Sequence, residues 1–117
     1  MLDVALLPFI GEASLRSWLI AHGYDAVSNE IERIKTEIDI GDSDDPRADM
    51  SMEIHFKAEG KVAYLKLQEA NFCWLSEDQQ KYSICLMARA LVRAGIRAAL
   101  GVDIPAEPKG APGAGDN

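Results

Sequence analysis

Three arginines, Arg89, Arg93 and Arg97, recur every four residues near the C-terminus. On a helix that spacing sets the guanidinium groups in one line. The planar fork of arginine pairs bidentately with carboxylate or phosphate, so the line suits an acidic protein surface or a nucleic-acid backbone. Its non-functional reading is a set of long stems lying on apolar surface, with heads near the chain's own carboxylates.

The opposite charge is gathered in GDSDDPRAD, positions 41–49, with Asp42, Asp44, Asp45 and Asp49. Closely spaced aspartates suggest a hard cation. An EF-hand loop needs a glycine at its sixth position, and counting from Asp42 puts Arg47 there, with Pro46 at the fifth. The pattern fails, and the stretch reads as a solvated loop with no metal. Asp42, Asp44 and Asp45 join the three arginines as the expected partner-binding residues.

Nucleophilic chemistry has few candidates. The only histidines are His22 and His55, and the only cysteines are Cys73 and Cys85. A zinc site lacks a close C-x₂₋₄-C pair. A Cys–His pair needs an exposed thiolate beside a base, and Cys85 falls on an apolar helix face where an inert core thiol is usual. No G-x-S-x-G, Walker A, G-x-G-x-x-G or H-E-x-x-H pattern occurs. The expectation is a protein that is not an enzyme, holds no cofactor and acts by binding another protein, as an adaptor, inhibitor or chaperone-like accessory (phage- or immunity-type proteins share its size and acidity). One alternative is a nucleic-acid-binding regulator that uses the arginine line. Another is a small Cys/His enzyme.

Composition sets the frame. The 117 residues fit one domain, and 48% apolar content can fill one core. Net charge is −7 and uneven. Positions 29–59 hold ten acidic and four basic residues, whereas 79–102 holds four basic and none acidic. An acidic chain is a poor general binder of nucleic acid. Two cysteines make no disulfide framework, so a reducing, cytoplasmic setting is expected. No secretory signal or membrane span is expected, since the first ten residues lack a basic region and no long apolar run exists.

The elements that must position these residues follow from periodicity. Positions 76–101 form the best-marked helix. Ser76 and Gln79 make a capping box, Glu77 and Asp78 sit in the first turn, and Gly101 closes the helix before Pro105. Ile84, Met87, Ala88, Leu91, Gly95 and Ala98 share one face, and Cys85, Val92, Ile96 and Ala99 widen it. So wide a face calls for cover on a second side, and a homodimer is the expected source. Ala90, Ala94 and Ala98 leave room for another helix to approach.

Upstream, positions 2–10 read as an edge strand or extended arm and 12–22 as a helix. A second helix is expected over about 25–34 from the Val27, Ile31, Ile34, Ile38 spacing, with 35–40 open between helix and strand. Alternation from Met50 to Glu59 marks a strand, Glu59-Gly60 a turn and 62–67 the returning strand. Positions 72–75 suggest a third short strand. The expected fold is two-layer α+β: an antiparallel hairpin or small sheet packed against helices, the long C-terminal helix lying across Met52, Ile54 and Phe56. The domain is expected over 1–104, with a disordered Pro/Gly-rich tail over 105–117.

Overall fold

Residues 7–106 are described by a computed structural model of the chain. The expected α+β architecture is present. Three short helices, α1 (Leu7–Ile10), α2 (Glu12–Ala21) and α3 (Asp25–Asn29), lead into strands β1 (Ile31–Ile40), β2 (Ala48–Phe56) and β3 (Val62–Glu69). A 3₁₀ turn (Phe72–Trp74) precedes the long helix α4 (Glu77–Leu100). The strands form an antiparallel meander with β2 in the centre.

Helix α4 has the caps its sequence implies. Ser76 Oγ accepts the Gln79 N–H at 3.2 Å, Gln79 Oε1 accepts the Ser76 N–H at 3.1 Å, and Gly101 adopts the left-handed conformation. The helix runs back along the sheet. At its first turn Gln80 Nε2 donates to the Phe72 carbonyl at 3.1 Å, and at its last Lys61 Nζ donates to the Ala99 carbonyl at 2.7 Å. A lysine on the last carbonyls also complements the helix dipole.

One layer of core lies between sheet and helices. Met50, Met52, Ile54 and Phe56 alternate inward from β2, as their period of two requires, and meet Ile84, Met87, Ala88, Leu91 and Ile96 of α4 within the same cluster. Gly95 sits at the closest approach. A Cβ there would stand 2.6 Å from Ile54 Cδ1 and 3.0 Å from Leu65 Cδ1, so the missing side chain lets α4 settle over the seam between β2 and β3 without displacing those methyl groups.

Three local expectations are corrected. The helix expected over 25–34 stops at Asn29, and β1 runs from Ile31 to Ile40. A bulge between Ile31 and Arg33 puts Ile31 and Ile34 on one face three residues apart, and Ile38 follows four later. That spacing imitates a helical stripe, and pairing with β2 along the whole strand decides against it. Positions 7–10 are a helical turn rather than a strand or arm; residues 1–6 fall outside the described residues, as does the expected tail from position 107 on. The run at 72–75 is a 3₁₀ turn whose Cys73 N–H donates to the Pro46 carbonyl, away from the sheet ladder.

Candidate functional site

The predicted partner-binding residues fall into two groups that do not converge. Loop 41–47 stands beside the N-terminal end of α4, because the 3₁₀ turn that leads into the helix is bonded to it. Cys73 N–H donates to the Pro46 carbonyl at 2.9 Å and Cys73 Sγ donates to the Gly41 carbonyl at 3.1 Å. Arg89, Arg93 and Arg97 lie in the other half of the 24-residue helix. Near the full rise of that helix, roughly 36 Å at ~1.5 Å per residue, separates the loop from the far end of the line.

The arginine line is largely engaged within the chain. The Arg89 guanidinium lies 5.4 Å from the centre of the Trp18 ring on α2, a cation–π distance. Arg97 Nε approaches Asp103 Oδ1 at 3.3 Å. Arg93 is half-buried, and its Nη1 is shielded from solvent with no hydrogen-bond partner among the described residues. The line is therefore less a free cationic ridge than its spacing suggests. The second apolar flank of α4 also finds cover within the chain. Val92 and Ile96 are buried, and the Cys85 thiol faces the Phe9 carbonyl of α1 at 4.0 Å.

The acidic loop is ordered by its own side chains. Asp42 Oδ1 accepts the N–H groups of Asp44 and Asp45 at 2.9 and 3.1 Å, an Asx turn. Asp45 takes both Nε and Nη2 of Arg47, at 2.8 and 3.0 Å. That pairing holds the Asp45 carboxyl below the usual aspartate range. Gly41 closes the loop by donating to the Arg47 carbonyl at 2.8 Å, and a Cβ at Gly41 would stand 1.8 Å from the Asp45 carbonyl oxygen. Asp42 and Asp44 remain exposed, without a cationic partner among the described residues. Trp74, on the turn that Cys73 pins to this loop, is 68% exposed. Ile40, at the loop's start, is also exposed.

The outer face of the sheet is polar. Register places Lys35, Glu53 and Tyr64 in one row, Glu37, Ser51 and Lys66 in the next, and Asp39, Asp49 and Gln68 in a third. Open grooves of about 560 and 450 Å³ run over these rows. Ser51 stands between a carboxylate and an amine in its row, and no hydrogen bond joins the three among the described residues. His55 contacts Glu53 on the same strand and holds that carboxyl below its usual range. His22 caps α2, its Nδ1 2.9 Å from the Trp18 carbonyl. The Cys73 thiol is spent on a backbone carbonyl. Among the described residues no group of three His, Cys, Asp or Glu side chains could hold a metal ion, and no helix is long and apolar enough to cross a membrane.

Comparison with family models, with curated proteins and with solved structures finds no match for this chain.

Trp74 and Tyr64 are the surface residues that motif reading passes over. Trp74 sits in a short apolar run that reads as strand, and its exposure follows only from the 3₁₀ turn. Tyr64 could be found by parity, since the returning strand alternates and Tyr64 falls on the wet face with Val62 and Lys66.

Proposed function

We propose that this chain is a non-enzymatic protein-binding module that captures a basic partner at its acidic pole. The observation that carries the reading is Trp74, a large aromatic held in solvent on a turn bonded to loop 41–47. Exposed tryptophan on a fixed backbone is a typical binding anchor, because it offers wide apolar area with little rotamer entropy to lose. Asp42 and Asp44 are exposed on that same loop, with no cationic partner among the described residues, and Asp39 and Asp49 lie at the adjoining strand ends. Such charge steers cationic surfaces and raises their association rate. The partner chemistry that fits is an apolar recess bordered by lysine or arginine.

The test is a pull-down from source-cell lysate with the wild-type chain, with Trp74→Ala and with Asp42→Asn/Asp44→Asn. Trp74→Ala is expected to weaken capture by tenfold or more, about 1.4 kcal/mol or above, and to leave thermal stability within about 0.5 kcal/mol. The double asparagine variant is expected to slow association and flatten its salt dependence. Equal capture by all three chains sinks the proposal.

A further inference from the structure

The two edges of the sheet are treated differently. At β1, Glu12 Oε1 accepts the Ile34 N–H at 3.0 Å, and Arg16 Nη2 donates to the Ile31 carbonyl at 2.7 Å, so side chains of α2 block the start of that edge. At β3 nothing comparable occurs among the described residues. The edge carries no proline and no bulge, and it contains Val62, Tyr64 and Leu67, each exposed, with Tyr64 at 74%. An open, apolar strand edge is a template for another strand.

Its direction is set by the hairpin. The Phe56 N–H donates to the Lys61 carbonyl at 3.0 Å, so Lys61, Ala63, Leu65 and Leu67 turn their backbone groups toward β2. Those of Val62, Tyr64, Lys66 and Gln68 point outward. Beneath this edge lies one flank of α4. Ala98 lines the same groove as Val62, Ala63 and Tyr64, and Ala94 is exposed one turn earlier.

We propose that β3 pairs antiparallel with β3 of a second copy, around a two-fold axis at Leu65, to give a continuous six-stranded sheet. In this register the outward backbone groups of Tyr64 meet those of Lys66 of the second copy, and Val62 meets Gln68 of the second copy. Each tyrosine ring then lies beside an ammonium group, and no like charges oppose each other. Leu65 meets its symmetry mate on the inner face, and Ala63 meets Leu67 of the second copy.

The helices fit the same axis. Gly95 faces both Ile54 and Leu65, which places α4 over the β2–β3 seam at the level of the axis. Two copies then hold their α4 axes about two strand spacings apart, roughly 10 Å, which is a helix-packing distance. Ala94 is the residue at that crossing, and a small side chain there lets the helices close. A second copy satisfies strand edge, charge pattern and helix flank together. This interface lies on a different surface from the acidic pole and does not rest on it.

Light scattering on a sizing column, with the full chain at high micromolar concentration, tests the proposal. Wild type is expected at twice the chain mass. Tyr64→Lys sets two lysines against each other at each pair and is expected to weaken self-association by about tenfold or more. Adding Lys66→Glu restores attraction and is expected to restore the dimer. Ala94→Arg, at a site exposed in the single chain, is expected to dissociate it with the circular dichroism unchanged. A wild-type monomer overturns the proposal. So does a dimer indifferent to Tyr64→Lys and Ala94→Arg, and so does a Tyr64→Lys monomer that Lys66→Glu leaves unpaired.

Discussion

Gly95→Leu is expected to lower the stability of this domain by about 3 kcal/mol, the upper end for overpacking a close-fitted core. The Cβ alone would stand 2.6 Å from Ile54 Cδ1, the tip of a side chain wholly buried in the central strand, so that methyl group has to shift. The rest of a leucine side chain has to lift α4 away from β2 and β3. Met87, Ala88, Leu91 and Ile96 of α4 belong to the same buried cluster as Ile54, so the cost spreads through it. Gly95→Ala separates the terms. It adds the same Cβ but gains about 1 kcal/mol of helix propensity, and a net loss of about 1 kcal/mol is expected. Urea unfolding followed by circular dichroism checks both, through the midpoint at constant slope. A Gly95→Leu midpoint within error of wild type would show that α4 does not rest on the sheet at this point.

Arg16→Ala is the second large effect, at about 2 kcal/mol. Arg16 Nε bonds Glu12 at 2.8 Å, Nη1 donates to the Ser28 carbonyl at 2.7 Å, and Nη2 donates to the carbonyls of Ile31 and Glu32 at 2.7 and 3.2 Å. One side chain thus ties α2 to the end of α3 and to the bulged start of β1. Bonds from a charged donor contribute more than neutral ones, and partial exposure keeps the sum modest. Burial pushes the Glu12 carboxyl up, but the Ile34 N–H and the Arg16 guanidinium outweigh it and hold the group below its ordinary value of 4.5. A carboxyl depressed in the folded state contributes stability above that value and loses it as pH falls through the folded-state pKa. The gap between wild type and Arg16→Ala is therefore expected to be widest near neutral pH and to narrow on acidification. Thermal melts at pH 7 and pH 3 measure it, and a gap that widens at pH 3 contradicts the clamp.

The same pair explains why part of the fold was hard to read. Glu12 and Arg16 are spaced four apart on a helix, which by itself signals a surface ion pair. They do pair with each other, but both also bond backbone groups of Ser28, Ile31, Glu32 and Ile34, twelve or more residues away, and no local pattern names those. The bulge at Ile31 works likewise. Its apolar spacing fits a helix, and only the facing strand turns it into sheet.

The candidate surfaces divide along similar lines. Asp42, Asp44 and Asp45 were legible as a solvated acidic loop, since composition and turn chemistry are local properties. Arg89, Arg93 and Arg97 were legible as a line, but whether a guanidinium is free depends on what lies across from it. Trp18 and Asp103 occupy two of the three.

By itself the sequence determined α4, its caps and its apolar face, the alternating strand β2 with its return, and the separation of acidic and basic segments. Those follow from hydrogen bonds and side-chain periodicity within a few residues. Tertiary structure alone decided which flank of α4 is covered, which sheet edge is guarded, and that Trp74 stands in solvent on a turn bonded to the acidic loop. Each of these is a contact between distant segments, and its energy exists only once the chain has closed on itself. The helix that organises the chain was readable from its own residues, while the surfaces it leaves open were not.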